Sequence, residues 1–303
     1  MGGRVTTTVI DPATTTREPG PSPAGPRRSR RRGSGGGAGA YVVLIVLALF
    51  AIGPLVAVVF NAFKNNAEIG TNPLAPPTSL SLDNFTEAWT RGDFATTMRN
   101  SAIICLGAVL GTCLIAGLAA YALSHLQVPG SGIVVGYLFL GSALPVQLFL
   151  VPLFFLWTQL HLVDNLFGLI VIYWATDAPF ATLLLRSFLL KIPKDYTEAA
   201  RLDGASDLQI ARRVVLPLAW PGFLTVALIV ALWSWNEFFW AITFIHDPKL
   251  RPVATSFLAF QDQHSTDWGM TSAAAIFMLG PVVLLFLVLQ RRFVSGLTAG
   301  GLK

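Results

Sequence analysis

The chain has 303 residues and a formal net charge of +5 at pH 7; 53% of its residues are hydrophobic and only 12% are charged. An ordinary soluble domain carries about 25% charged residues, so this balance excludes a protein of that class. Residues 100–163 contain no Lys, Arg, Asp or Glu, and this stretch is about three times the roughly 20 residues that one helical crossing of a bilayer needs. The composition therefore predicts an all-α, polytopic membrane protein.

Residues 1–40 are rich in Gly, Pro, Ser, Thr and Arg and poor in apolar side chains. Such a segment cannot bury enough apolar surface to offset the entropy lost on ordering, so we predict a disordered basic tail. Its arginine cluster, residues 27–32, has two candidate partners, nucleic acid and anionic lipid headgroups. We favour a topological role without nucleic acid, in which the cluster keeps the N-terminus in the cytoplasm beside the first crossing.

The first apolar run covers residues 41–60 and passes into Asn-Ala-Phe-Lys, which is not a small-residue cleavage signature. It is also too long for a typical signal-peptide core, so we expect it to remain as the first transmembrane helix. The polar residues 61–100 predict an extracytoplasmic loop, with a short helix over residues 84–90.

Five further apolar runs complete the predicted bundle. They cover residues 101–124, 133–157, 165–186, 218–244 and 268–290. Pro129, Gly130 and Gly132 mark a tight turn between the first two of these runs. The sequence therefore predicts six transmembrane helices, with a helical core over residues 101–292.

The distribution of basic residues predicts the orientation, because cytoplasmic loops carry an excess of Lys and Arg. Of the 21 Lys and Arg residues, seven lie in the N-terminal tail, six in the loop after the fourth helix and three near the C-terminus. The remaining basic residues fall in residues 61–100 and 246–267. The expected result is a multi-pass protein of the cell membrane with both termini cytoplasmic and residues 293–303 as a C-terminal tail.

The residues show no sign of a catalytic or metal centre. His125, His161, His246 and His264 lack the spacing of metal ligands. The chain also lacks the Gly-x-x-x-x-Gly-Lys-Ser/Thr loop that cradles nucleotide phosphates in ATPases. We therefore expect no catalytic residue, no metal and no cofactor bound by this chain.

Between the fourth and fifth helices the sequence predicts two short helices rather than an irregular connector. Asp195 with Glu198 and Ser206 with Gln209 have the spacing of capping boxes. Gly204 falls where the first short helix needs a left-handed terminating residue.

One face of the first short helix is predicted to be flat. Tyr196, Ala199, Ala200 and Asp203 share it at i, i+3 and i+4 spacing, and the two alanines allow a close approach. From the residues alone two interpretations stay open. Either the loop helices lie on the membrane surface, as amphipathic helices do, or they dock on another protein.

The same loop resembles the EAA signature of the permeases of ATP-binding-cassette (ABC) importers. The matching positions are Glu198-Ala199-Ala200, then Gly204 four residues after the second alanine, then Leu216-Pro217. Its place between the fourth and fifth of six helices makes the match specific.

Over residues 41–303 the chain is similar to carbohydrate-uptake permeases of the MalG-like type. The segments that carry this wider likeness are residues 79–85, 100–101, 235–238 and 290–300. The chain departs from the family at residues 125–132, a turn that lacks the basic residues often found there.

The resemblance implies the type I permease fold of ABC importers and a transport subunit for a sugar or oligosaccharide. It also implies several partners in the bilayer assembly: a second related permease, two cytosolic ABC ATPase subunits that use ATP and Mg, and an extracytoplasmic solute-binding protein approached by residues 246–267. The residues expected to couple to the ATPase are Glu198, Ala199, Ala200, Asp203, Gly204, Leu216 and Pro217.

Two acidic residues, Asp177 and Glu237, lie inside the predicted spans. An unpaired carboxylate near the bilayer centre costs about 2.5–3.5 kcal/mol or more, so both are candidates for the translocation path. Tyr173, Trp235 and Asn236 add ring faces and an amide group that suit a sugar. In the alternative interpretation, the rings form an interfacial belt and the polar groups bond other helices.

Two other functions stay open. An ABC permease for polyamine, phosphate or peptide would have the same loop, and residues 296–300 favour a sugar by family likeness only. A secondary transporter would use Asp177 and Glu237 as proton or cation relays. It leaves the structured loop without a role, and its expected internal repeat is not visible in the sequence.

Overall fold

The structure of the protein, a computed structural model, describes residues 2–3, 37–126, 128–260 and 267–301, and the regular structure of these residues is entirely helical. In chain order the helices are α1 (Gly37–Asn61), α2 (Asn66–Thr71), α3 (Asp83–Arg91), α4 (Phe94–His125), α5 (Ser131–Ala143), α6 (Leu150–Gln159), α7 (Leu166–Leu189), α8 (Lys194–Leu202), α9 (Asp207–Ile210), α10 (Leu216–Asn236), α11 (Phe239–Phe244), α12 (Val253–Ser256) and α13 (Trp268–Gly301). The predicted disordered tail lies outside the described residues, apart from residues 2–3 and residues 37–40, which begin α1. His264 also lies outside them.

Among the described residues, five helical stretches are long and apolar enough to cross a membrane, and a bent pair makes a sixth if it counts as one span. The five stretches are Gly39–Asn61, Phe94–His125, Leu166–Leu189, Asp207–Asn236 and Trp268–Val288. On this count the predicted all-α fold with six membrane helices is confirmed. Because α13 continues to Gly301, most of the predicted C-terminal tail is helical.

The third predicted helix, residues 133–157, is wrong as a single straight helix. The chain forms α5 and then a 3₁₀ turn (Val146–Phe149) that runs into α6, and the two halves are bent by 89°. The break lies at Leu144, which is extended with ψ 137°. The following residue is Pro145, and proline disfavours the helical conformation of the residue before it.

The fifth predicted helix differs from the structure at both ends. α9, a π-helical turn (Ala211–Val215) and α10 form one stretch, Asp207–Asn236, so the second loop helix runs directly into the membrane span. At the other end α10 stops at Asn236, Glu237 is extended with ψ 123°, and α11 follows as a separate short helix. Glu237 therefore lies at a break between helices and not inside a span.

The chain divides into two units, Met1–Ala51 and Ile52–Lys303. In the first unit, the side chains described over residues 39–51 are all exposed. A continuous apolar helix with every side exposed suits a lipid environment. The second unit contains the packed core.

The centre of the second unit is the close packing of α4 on α7. Gly107 and Gly111, four residues apart on α4, face Ile170 and Trp174 of α7. A Cβ atom on Gly111 would lie 2.0 Å from Trp174 Nε1, and that Nε1 donates a 2.8 Å hydrogen bond to the Gly107 carbonyl oxygen. Small residues at this spacing are typical of membrane helix pairs, because they let two backbones approach.

A second cluster joins the segment 61–100 to the last helix. Its buried residues include Ala62, Ala88, Phe94, Val253, Phe260 and Met270. The short helix predicted over residues 84–90 is present as α3. Asn100 Nδ2 donates to the carbonyl oxygens of Lys249 at 2.9 Å and Arg251 at 3.1 Å. These bonds fix the segment after α11 to the start of α4.

Candidate functional site

Residues 194–215, between α7 and α10, form two short helices connected by a tight turn, which we call the hairpin. α8 begins at Lys194 after Pro193 and has no side-chain cap. The predicted capping box of Asp195 with Glu198 is therefore wrong. Because the helix starts two residues earlier than a cap at Asp195 would require, Asp195 lies in the first turn, where its negative charge interacts favourably with the positive end of the helix dipole.

The turn between the two hairpin helices confirms that Gly204 is the left-handed residue that ends the first helix, because its φ is +80°. The N–H of Ala205 donates to the carbonyl of Ala200, and the N–H of Gly204 donates to that of Arg201, each at 3.0 Å. This pair of bonds is the Schellman motif, which ends a helix with a left-handed residue. A Cβ on Gly204 would meet nothing within 4 Å, so glycine is favoured there by backbone conformation and not by crowding.

The second predicted capping box is confirmed. Ser206 Oγ accepts from the N–H of Gln209 at 3.4 Å, and Gln209 Oε1 accepts from the N–H of Ser206 at 2.8 Å. Farther on, the N–H of Leu216 bonds to the carbonyl of Ala211, five residues earlier. The residue after it, Pro217, lacks an N–H and its ring crowds the preceding turn. The wider π-helical turn accommodates the proline, so the helix continues into the membrane span.

The outer side of the hairpin is exposed, but one predicted member of that face is not on it. Glu198, Ala199 and Asp203 are exposed, whereas Ala200 is partly buried against the core. The predicted shared face is therefore wrong for Ala200. It lies three residues after the buried Thr197, and residues at i and i+3 lie on the same side of a helix.

Two leucines that the sequence prediction missed project from the hairpin. Leu202 is 90% exposed and Leu208 is 75% exposed, and they stand on either side of the turn at Gly204. Apolar side chains exposed in an otherwise polar segment mark a candidate contact surface. Their position flanking a helix-terminating glycine is the signal that could have identified them.

Specific bonds join the two hairpin helices to each other and to the end of α4. Arg201 Nη2 lies 3.2 Å from Asp207 Oδ1, which links α8 to α9. Tyr121 Oη donates to the backbone carbonyl of Asp207 at 3.1 Å. A polar cavity of about 600 Å³ lies beside these contacts, with Lys194 and Glu198 in its wall. Tyr121 was not predicted, because nothing in an apolar run identifies a partner 86 residues away.

Of the predicted translocation residues, the structure brings Tyr173 and Glu237 into contact. The buried Tyr173 donates a 3.0 Å hydrogen bond from Oη to Glu237 Oε2. The same carboxylate accepts from the N–H groups of Trp240 at 3.0 Å and Ala241 at 3.2 Å. Glu237 thus satisfies two free N–H groups at the start of α11, and its carboxylate is engaged by three donors.

The other three candidates have separate surroundings. Asp177, one turn after Tyr173 on α7, is partly buried and accepts a 3.3 Å bond from Thr176 Oγ1. Trp235 Nε1 donates to the carbonyl of Met278 at 3.1 Å, which joins α10 to α13. Asn236 is exposed, and its Nδ2 bonds to the carbonyl of Leu232 in its own helix at 2.8 Å.

Comparison with known proteins identifies a family. A sequence model of the family described as the binding-protein-dependent transport system inner membrane component matches residues 113–298. The matched residues include the bent pair α5 and α6, the hairpin, and the membrane spans of α7, α10 and α13.

Several relatives align with most of the chain. The probable ABC transporter permease protein YurM of Bacillus subtilis is 35% identical over 86% of this chain and 86% of its own length. The sulfoquinovosyl glycerol transport system permease protein SmoH of Agrobacterium fabrum is 33% identical, over 86% of this chain and 90% of its own. The diacetylchitobiose uptake system permease protein NgcG of Streptomyces coelicolor is 31% identical, over 85% and 86%.

A solved structure has the same fold. It belongs to a bacterial ABC transporter involved in the import of the acidic polysaccharide alginate, and one of its chains superposes with a TM-score of 0.72 at 25% sequence identity. The superposition covers 84% of this chain and 95% of that one.

Proposed function

The chain belongs to the family of binding-protein-dependent transport system inner membrane components, and from this premise we propose that it is the permease subunit of an ABC importer for a sugar or oligosaccharide. It is a multi-pass protein of the cytoplasmic membrane. The observation that carries the proposal is the hairpin, a capped and exposed helical element that is continuous with a membrane span.

The outer side of the hairpin supplies a surface on which an ATPase can dock. Ala199 allows close approach, Glu198 offers a carboxylate, and Leu202 and Leu208 offer apolar side chains. An interface of this kind combines apolar anchors with charged groups that orient the partner. ATP and Mg would be used by that ATPase, because this chain has no phosphate-binding loop of its own.

Transmission to the membrane follows from the continuity of the hairpin with α10. The path runs through Leu216 and Pro217 without a break in the helix. Asp203 and Gly204 hold the turn that keeps α8 and α9 together. A displacement of the hairpin by a closing ATPase would therefore move α10 as a rigid element, and the bond from Tyr121 to Asp207 would extend the movement to α4.

The proposed assembly has two copies of a cytosolic ABC ATPase, a second related permease and an extracytoplasmic binding protein. In this arrangement both termini and the hairpin face the cytoplasm, and residues 61–100 and 246–267 face outward. The second cluster, in which those two segments pack together, supports their placement on the same side of the membrane.

The sugar cargo is proposed from the relatives. Two of them are named for the transport of sulfoquinovosyl glycerol and the uptake of diacetylchitobiose, and the structural neighbour takes part in alginate import. Within the translocation path we assign direct contact with the sugar to Asp177 and Asn236. Their polar groups can form further hydrogen bonds to a sugar hydroxyl. Tyr173, Trp235 and Glu237 position the surrounding helices, because each is engaged by another element. A secondary transporter is not proposed, since it gives the hairpin no role.

The test is reconstitution of the chain with its ATPase, companion permease and binding protein in proteoliposomes. We expect ATP hydrolysis to rise with one sugar-loaded binding protein, and Glu198→Lys to lose ATPase association and at least about tenfold in uptake, because reversing an interfacial charge costs several kcal/mol. Glu87→Lys, at an exposed glutamate of α3, is the matched control.

Three results would contradict the proposal. One is normal uptake by Glu198→Lys, which would remove the hairpin from the docking surface. Another is recovery of the chain without any ATPase under mild extraction. The third is stimulation by a binding protein loaded with polyamine, phosphate or peptide and by none loaded with sugar, which would keep the permease and change its cargo.

A further inference from the structure

An apolar groove of about 390 Å³ lies between α4 and the π-helical entry to α10. Its walls include Leu114, Gly117 and Leu118 of α4 and Ala211, Arg212 and Val215 of the π-helical turn. We call it the lateral groove. Tyr121, Leu208 and Leu216, which have roles in the transport function proposed above, also line it, but that function assigns no role to the apolar space between the walls.

The lateral groove is elongated and its lining is almost entirely apolar. It extends along α4 from Cys113 to Tyr121, which is about 12 Å at 1.5 Å per residue. Extended hydrocarbon chains suit an apolar groove of this shape.

The depth of the lateral groove matches lipid acyl chains. Tyr121 lies four residues and Cys113 twelve residues before the end of α4 at His125. The groove therefore begins about 6 Å and ends about 18 Å from that end of the helix, a depth comparable to one half of a hydrocarbon core about 30 Å thick.

The groove opens beside two adjacent cations. Arg212 lines it, and both Arg212 and its neighbour Arg213 are exposed. A guanidinium group binds a phosphate through paired hydrogen bonds, and exposed arginines at the membrane surface attract anionic lipids. A protein helix covering this opening would instead have to bury the charge of Arg212, which is costly.

Two local features form the groove. Gly117 has no side chain, and a Cβ there would lie 2.8 Å from the ring of Phe223, so the ring forms the floor. Opposite it, the π-helical turn widens the helix between Ala211 and Val215. On α4 the groove merges with a stripe of exposed leucines, which includes Leu110, Leu114 and Leu118. This stripe gives a lipid a continuous apolar path from the bilayer.

We propose that the lateral groove binds an acyl chain of an anionic phospholipid, with the lipid phosphate held by Arg212. The class of ligand follows from the shape, depth and charge of the groove. Only the leaflet, which is cytoplasmic, rests on the orientation proposed above. Because one wall is the π-helical turn that connects the hairpin to α10, the bound chain lies against the element that transmits ATPase movement.

The probe is phosphatidylglycerol with a photoreactive diazirine on one acyl chain, added as a minor component to phosphatidylcholine nanodiscs that hold the assembled transporter. After illumination, crosslinked peptides are mapped by mass spectrometry. We expect crosslinks to concentrate in the two walls of the lateral groove. The same diazirine chain on phosphatidylcholine is the comparison for the role of the headgroup charge.

Two matched pairs of variants separate specific binding from ordinary lipid contact. Arg212→Ala is expected to lower groove crosslinking by phosphatidylglycerol about fivefold, whereas Arg213→Ala, which lies outside the groove, should change it much less. Leu114→Trp fills the groove and should lower crosslinking by both lipids. Leu110→Trp, one turn away on the same exposed stripe, should not.

Crosslinks spread evenly along the α4 stripe, with equal effects of Arg212→Ala and Arg213→Ala, would overturn the proposal in favour of unspecific bilayer lipid. Crosslinking of the groove to a peptide of the companion permease would overturn it in favour of a subunit interface. Since the readout requires neither ATP hydrolysis nor uptake, failure here leaves the proposed transport function standing, and loss of transport leaves this result unaffected.

Discussion

The hydroxyl of Tyr173 and the carboxylate of Glu237 are joined by a 3.0 Å hydrogen bond, which connects α7 to the break between α10 and α11. Both residues are predicted from the sequence as candidates for the translocation path. Their contact gives Glu237 a second role, because the same carboxylate holds the first N–H groups of α11. The break itself is thus stabilised by a carboxyl group that accepts hydrogen bonds from three donors.

Replacing Glu237 by Ala removes all three hydrogen bonds at this break and leaves the buried Tyr173 hydroxyl without its acceptor. We expect a loss of about 2–3 kcal/mol in stability, measured as the thermal unfolding midpoint of the purified transporter. Glu237→Gln keeps one acceptor oxygen and should fall between. Asn236→Ala, which loses only a bond within its own helix, is the control, and equal midpoints for it and Glu237→Ala would contradict the structural role.

Substitutions at Gly204 should follow backbone conformation and not side-chain size. The left-handed conformation costs a non-glycine residue about 1–2 kcal/mol, and asparagine tolerates it better than alanine. Since a Cβ meets nothing there, we expect uptake to rank Gly204 above Asn, Asn above Ala, and Ala above Val. Transport by membranes with equal amounts of each variant tests this order. Equal activity of Gly204→Val would show that the turn is not needed.

Ala199 and Ala200 are neighbours that should respond differently to the same enlargement. Ala199→Trp places its bulk on the exposed outer side, so we expect a correctly inserted permease that loses ATPase co-purification about tenfold or more. Ala200→Trp forces the bulk against the core and should instead reduce the amount of folded protein. Quantitative blotting of membranes and of the purified complex separates the two effects. The reverse pattern would contradict the assignment of the faces.

Much of the fold could be predicted because its signals are local. Apolar runs and the positions of basic residues predict the six membrane helices, and Gly204 with Ser206 and Gln209 predicts the turn of the hairpin. The exceptions also have local causes. Pro145 bends the third helix by changing the conformation of Leu144, and the start of α8 at Lys194 displaces Asp195 from a cap position.

The contacts of the site could not be predicted in the same way, because they join distant segments. Tyr121 meets Asp207 across 86 residues and Trp235 meets Met278 across 43. Neither pair has a spacing or motif that identifies the partner. The side-chain direction of Ala200 was also missed, since the face of a helix that turns inward depends on what the helix packs against.

Gly111 is expected to tolerate no larger side chain, because the Trp174 indole occupies the space next to it. A Cβ there would lie 2.0 Å from Trp174 Nε1. Gly111→Ala should destabilise the protein by at least about 1–3 kcal/mol, seen as a lower unfolding midpoint and less protein in the membrane. Gly136→Ala, in α5, meets nothing within 4 Å and is the control. Comparable stability of both variants would contradict the packing of α4 on α7.

Asp164 provides a prediction about pH, since it lies between α6 and α7, outside the membrane-spanning helices. Its Oδ1 accepts from the backbone N–H of Asp247 at 2.8 Å and from that of His246. The bond from Asp247 is the main cause that holds the pKa of the Asp164 carboxyl below its usual range, and the bond from His246 adds to it. The ionised carboxylate is therefore the form that the fold favours.

Because the pKa of Asp164 is lower in the folded than in the unfolded chain, its contribution to stability is fully present above the unfolded value of about 3.9. It is lost only as the pH falls from there through the folded value. We expect the difference in unfolding midpoint between the wild type and Asp164→Asn not to decline from pH 8 to about 5 and to shrink below about 4. Thermal unfolding of both proteins across that range provides the measurement. A difference that already declines between pH 8 and 6 would mean that the folded pKa is raised, and the hydrogen bonds to His246 and Asp247 would then not be the controlling contacts.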